Sequence, residues 1–166
     1  MTVLIIGHPD SGKSELAERM VTDISAPGER IYLATMIPYG ADGAARVEKH
    51  RKMREGKGFT TIEAPFDITG AIEKADVPGD STVLLECLSN LVANELFERH
   101  ALPDEITAKL TDDVIKLAGK VRNLIIVSNH FEITADFDNE TETYAQTMDT
   151  INEALGSVCD KVIRIG

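Results

Sequence analysis

Residues 7–14 read Gly-His-Pro-Asp-Ser-Gly-Lys-Ser, a full match to G-x-x-x-x-G-K-[ST]. The motif follows the apolar run Thr2-Val3-Leu4-Ile5-Ile6 and opens a helix-period stretch. That context matters. Glycines let backbone N–H groups turn inward around a phosphate, and the helix N-terminus adds its positive end. In such a loop Lys13 reaches the β- and γ-phosphates and the Ser14 hydroxyl takes Mg²⁺. Few chains carrying this strand–loop–helix unit fold as anything but a layered α/β domain around a mostly parallel sheet.

The rest of the chain fits that constraint. Strands are expected at Arg30–Thr35, Phe59–Glu63, Ser81–Cys87, Asn123–Val127 and Lys161–Ile165, each a short apolar or β-branched run. Helices are expected from about Gly12 to Ile24, Asp42 to Glu55, Leu88 to His100, Pro103 to Lys120 and Glu140 to Val158. Asp104 reads as the cap of the fourth. With no repeat or linker, residues 1–166 read as a single P-loop NTPase-type (RecA-like) domain, a mostly parallel sheet flanked by helices.

Charge narrows the function classes. Seventeen basic against 28 acidic side chains give a net charge of −11, the wrong sign for holding nucleic acid or docking on an anionic membrane. No run has the length of a membrane span, and no basic segment precedes the first strand, so neither membrane insertion nor a leader is expected. Cys87 and Cys159 suit reduced thiols in a cytoplasmic protein. Positive charge is instead local. From Arg46 to Lys57 there are six Lys/Arg against Glu48 and Glu55. Such a run is either a solvated helix face or a wall for polyphosphate. His50 lies at its centre, where neighbouring cations favour the neutral imidazole, a competent nucleophile toward phosphorus. Glu86 closes the run Val83-Leu84-Leu85 and is the carboxylate expected to complete, with Ser14, a Mg²⁺ site.

Four blocks in order carry a resemblance over most of the chain. They are the loop ending Ser11-Gly12-Lys13-Ser14; Tyr32-Leu33-Ala34-Thr35; Arg46-Val47-x-x-His50-Arg51-x-x-Arg54 with Phe59-Thr60-Thr61-Ile62-Glu63; and Leu84-Leu85-Glu86-Cys87-Leu88 with Asn94 beyond. Val127-Ser128-Asn129 and Asn152 are weaker echoes. Together they resemble the bifunctional adenosylcobinamide kinase / adenosylcobinamide-phosphate guanylyltransferase family of cobalamin biosynthesis. The resemblance implies GTP (or ATP for the kinase step) and Mg²⁺ as cofactors, a corrinoid substrate and a homotrimer. It makes His50 the residue that carries GMP, beside the catalytic Lys13. It also implies nucleotide contacts at Gly7, His8, Pro9, Asp10, Ser11, Gly12, Lys13 and Ser14, at Thr35, Met36 and Ile37, at Arg51, Lys52, Met53 and Arg54, and at Glu63 and Glu86.

The chain departs from the family pattern at several places. The acidic-Met pair usual before the His50 helix is absent, leaving Asp42-Gly43, and the aromatic after that helix is Phe59 rather than Trp. Two longer departures stand out. His8-Pro9-Asp10 stands where the family has Gly-Ala-Arg, and His130-Phe131-Glu132 where it has Glu-Val-Gly. Asp10 in place of a cation weakens attraction for phosphate. These departures keep open two alternatives, a P-loop kinase with a single activity and a nucleotide-binding module without catalysis. Other residues have plainer readings. His100 suits the carboxyl end of a helix, and His130 a loop at a strand end. Cys87 suits packing, Cys159 has no partner at metal spacing, and Asp136, Asp138 and Glu140 suit a solvated loop rather than a calcium site.

Overall fold

The apolar runs form one sheet. A computed structural model describes residues 1–37 and 40–166, all but the side chain of Met53. The elements are β1 (Thr2–Gly7), α1 (Lys13–Ile24), β2 (Arg30–Ala34), α2 (Gly40–Arg54), β3 (Phe59–Glu63), α3 (Ile68–Lys74), β4 (Thr82–Glu86), α4 (Leu88–Ala93), α5 (Pro103–Ala118), β5 (Asn123–Asn129), α6 (Asn139–Gly156) and β6 (Lys161–Ile165). A π-helical turn, Asn94–Glu98, continues α4. The six strands lie in the order β3-β2-β4-β5-β1-β6 and every pairing is parallel. This is the α/β architecture that the motif and the alternating runs require.

Strand period 2 divides the apolar residues between two layers. Val3, Ile5, Leu84, Ile125 and Val127 face α1 and pack with Ala17 and Val21. Leu4, Ile6, Val83, Leu85, Leu124 and Ile126 face the other way, against α4, α5 and α6 through Leu88, Leu91, Leu110, Met148 and Ile151. Strands buried on both faces explain why β1, β4 and β5 read as unbroken apolar runs.

Local chemistry corrects several boundaries. Asp104 does not cap α5; Leu102 is its N-cap with no side-chain bond, and Pro103 opens the helix with Asp104 and Glu105 in its first turn. Proline's fixed φ and missing N–H suit that first position. The helix α3 is an addition to the elements expected from the periodicity. It shows one apolar pair, Ile68 and Ile72, and is capped by Asp67, whose Oδ1 accepts from Gly70 N at 3.0 Å. Asp138 caps α6 in the same way, accepting from Thr141 N at 2.7 Å, and that bonding holds its carboxyl below the usual range. The acidic loop before α6 therefore supplies a cap. The helix expected to run on from Leu88 changes at Asn94 to the wider π turn, which turns two polar side chains inward. Asn94 donates to Thr35 O and Pro65 O, while the buried Glu95 pairs with Lys109 and Arg99.

The helix α2 is unlike the others. Arg54 is the only buried residue among those described in it, with Gly43, Val47 and His50 half-buried. A helix polar on nearly every face gains little from packing. Its position rests on its carboxyl end.

Candidate active site

The phosphate-type loop joins β1 to α1 at the carboxyl edge of the sheet. A Cβ on Gly7 would lie 2.6 Å from Ser11 Oγ and 3.2 Å from Ile165 O, so only glycine fits there. Asp10 (φ 60°) and Gly12 (φ 88°) take left-handed backbone, and Gly12 is the N-cap of α1. The loop closes over the helix terminus, where the amide dipoles favour an anion. Lys13 Nζ donates to His8 O at 3.0 Å. Its side chain is nearly enclosed, and burial lowers the ammonium's pKa from its ordinary value. A polyphosphate would supply the counter-charge that this ammonium lacks.

Ser14, the first turn of α1, and Glu86, the end of β4, meet across β5. The Ser14 hydroxyl donates to Glu86 Oε1. Glu86 Oε2 accepts from the Tyr32 hydroxyl at 3.2 Å. One hydroxyl and one carboxylate, both hard oxygen donors at a phosphate loop, are the set Mg²⁺ uses when phosphates and water complete its shell. Among the described residues there is no cluster of three or more His, Cys, Asp or Glu that would hold an ion unaided. The residues fit Mg²⁺ brought with a nucleotide.

These groups open into a cavity of about 780 Å³. Its walls include Pro9, Asp10, Gly12, Lys13, Ser14, Thr35, Met36, His50, Arg51, Arg54, Glu63 and Glu86. The sheet edge thus brings the loop, the Ser14–Glu86 pair and the His50 helix around one space. Gly7, His8, Ser11, Ile37 and Lys52 are not among its walls, and the Met53 side chain lies outside the described residues. Thr35 has its hydroxyl engaged with the backbone of Cys87, accepting from N and donating to O at 2.8 Å each. Arg51 pairs with Glu63 and Lys57 with Glu18, so part of the basic run is already neutralised. Arg46, Lys49 and His50 face the cavity.

Among the walls Tyr144 has no counterpart in the sequence reading, while Tyr32, Asn129 and Phe131 enter it only as members of a strand block, a weaker echo and a departure, with no site role. Tyr32 reads in sequence only as part of a strand, although a hydroxyl-bearing aromatic inside an apolar strand is a signal. Asn129, Phe131 and Tyr144 also line the space. Asn129 Nδ2 donates to Ser89 Oγ at 2.6 Å while its Oδ1 is buried without a partner, and the Tyr144 hydroxyl donates to Ser89 O. Cys87 Sγ lies 2.9 Å from Ser89 Oγ, and burial pushes its thiol up.

The two longer departures in sequence meet in space. The His8 and His130 rings stand edge to face with centroids 5.5 Å apart, His8 Nε2 is 3.9 Å from Glu132, and His130 Nδ1 is 2.9 Å from Asp149 of α6. Loop and strand end are thus in contact, and His8 turns toward this cluster and is not among the cavity walls.

Comparison with known proteins finds relatives of this chain. The model of the family described as "CobU: Cobinamide kinase / cobinamide phosphate guanyltransferase" matches residues 3–165. The bifunctional adenosylcobalamin biosynthesis protein CobU of Escherichia coli (strain K12) is 36% identical over 98 residues, 59% of this chain and 51% of that protein. Its namesake in Salmonella typhimurium (strain LT2) is 35% identical over 97 residues, 58% and 51%. The chain thus spans about half the length of the curated relatives it matches. A solved structure described as the ATPase domain of G40P superposes with a TM-score of 0.57 at 13% identity, covering 98% of this chain and 68% of its own. That likeness concerns the fold.

Proposed function

The chain belongs to the cobinamide kinase / cobinamide phosphate guanyltransferase family, and on that footing we propose that it carries out both reactions. In the first, the γ-phosphoryl of GTP or ATP passes to the aminopropanol hydroxyl of adenosylcobinamide. Lys13 and the loop amides stabilise the charge that spreads over the transferring group. Ser14 and Glu86 would hold Mg²⁺, which would supply positive charge against the nucleotide's phosphates. In the second, a His50 ring nitrogen forms a bond to the α-phosphorus of GTP and pyrophosphate leaves. The substrate phosphate then takes GMP from His50, giving adenosylcobinamide-GDP. Two easier displacements replace one difficult transfer.

The observation that carries this reading is a cavity whose walls include Lys13, Ser14 and Glu86 together with His50. The second reaction needs a nucleophile at the nucleotide, which His50 can supply and which neither a kinase of single activity nor a binding module requires. The same reading takes residues 1–166 as one domain, acting in the cytoplasm as a homotrimer. Among the described residues no helix is long and apolar enough to cross a membrane.

The test uses Mg²⁺ and GTP labelled at the α-phosphate. An acid-labile label on the chain, lost in His50→Ala, is expected. Absence of label, or its persistence in that variant, sinks the transferase half. Phosphorylation of adenosylcobinamide without the label leaves a kinase of single activity.

A further inference from the structure

We propose that Tyr32 is a positioning residue shared by the two half-reactions: its hydroxyl holds the Mg²⁺-binding carboxylate, and its ring anchors the helix that carries His50. The inference rests on the roles given above to Glu86 and His50.

Tyr32 is 5% exposed, in β2. Its hydroxyl donates to Glu86 Oε2 at 3.2 Å, while Oε1 of the same carboxylate accepts from Ser14. A carboxylate held at both oxygens cannot rotate, so Glu86 is presented toward Ser14 before any metal arrives. The ring is equally committed. The Arg54 guanidinium lies 3.5 Å from its centroid on one face, and the Phe59 ring meets it edge-on at 6.1 Å.

Arg54 is the last residue of α2 and is only 7% exposed. Besides the ring, its Nη2 reaches Thr61 Oγ1 at 3.4 Å and its Nε is buried without a partner. His50 lies four residues before Arg54, on the same face of the helix. The rest of α2 is mostly exposed, so where His50 sits follows from where Arg54 is held. Arg54, Tyr32, Glu86 and Ser14 thus form one run of contacts from the base of the His50 helix to the metal-binding oxygens, and Tyr32 is its centre. Removing the hydroxyl and removing the ring should have separable consequences.

The experiment measures Mn²⁺, a paramagnetic stand-in for Mg²⁺, binding to the chain in the presence of a non-hydrolysable GTP analogue, by electron paramagnetic resonance. Groups that orient a metal ligand are worth about 10- to 100-fold in metal affinity. Tyr32→Phe keeps the ring and is expected to weaken Mn²⁺ by about 10-fold. Unaltered Mn²⁺ affinity in Tyr32→Phe overturns the hydroxyl's role. Tyr32→Leu removes the platform as well, and GMP labelling of His50 is expected to fall about 10-fold below that of Tyr32→Phe, the scale of one aromatic–cation contact when desolvated. Equal labelling of the two variants overturns the anchoring role. Neither measurement involves a corrinoid, so failure of wild type to phosphorylate adenosylcobinamide would overturn the substrate reading while the Mn²⁺ result still decides this one.

Discussion

Asn94 offers the sharpest check on how the site is held. Its side-chain amide is buried and donates to Thr35 O at 2.9 Å and to Pro65 O at 2.7 Å, tying the end of β2 to the turn after β3. Asn94→Ala leaves both carbonyls without that donor in a space too enclosed to rehydrate fully. Each buried group left unsatisfied costs roughly 1–3 kcal/mol, and a carbonyl with a second lone pair falls in the lower half, so the pair sums to about 2–4 kcal/mol. For a chain of this size each kcal/mol moves the melting midpoint by about 2–4 °C, so a fall of roughly 5–15 °C is expected without ligand. Asn94→Asp is nearly isosteric but sets acceptor against acceptor, and should be at least as damaging. Calorimetric or circular-dichroism melts measure both. A fall under about 2 °C for Asn94→Ala, or a wild-type midpoint for Asn94→Asp, would refute the argument that these two bonds hold the strand end.

Lys13→Met should cut nucleotide affinity by about 10-fold or more, yet leave the ligand-free chain as stable as wild type or more so, because the buried ammonium there is poorly compensated. Its depressed pKa also has a sign. Between that lowered value and the ordinary 10.5, the unfolded chain binds the proton more than the folded one, so this contribution makes stability rise with pH. Urea titrations from neutral to alkaline pH should show that rise in wild type relative to Lys13→Met; parallel curves would contradict it. Burial pushes the Cys87 thiol up and the Cys159 thiol up to about 11, so iodoacetamide at mildly alkaline pH should label native protein at least about 10-fold more slowly than protein in urea. Rapid native labelling, read by mass spectrometry, would show the burial to be wrong.

Much of the fold and the site is legible in the residues alone. The loop from Gly7 to Ser14, the apolar strands and the charged end of Val83-Leu84-Leu85-Glu86 are local patterns, and local patterns report local structure. The polar end of β5 and the short α3 are not legible, because one or two apolar residues make no period. Asp104 misleads because its type suits a cap, whereas Pro103 already sets where the helix starts. The basic run promises a field of positive charge, but Glu63 and Glu18, distant in sequence, neutralise part of it. His8 and His130 give no sign of each other, being separated by most of the chain.

Residue type, spacing and period are enough to place a phosphate loop after a buried strand and to make the strands parallel. They also mark Lys13, Ser14 and Glu86 as groups suited to phosphate chemistry, while His50 is singled out by the family resemblance. That Ser14 and Glu86 touch is a matter of topology, because the strand order sets β5 between β1 and β4 and brings their carboxyl ends to one edge. The same holds for Tyr32, which packing turns from core filling into the support of Glu86 and Arg54. A side chain's partners depend on which strands and helices become neighbours, and no local pattern records that. The chemistry is written in the residues, and its geometry in the order of the strands.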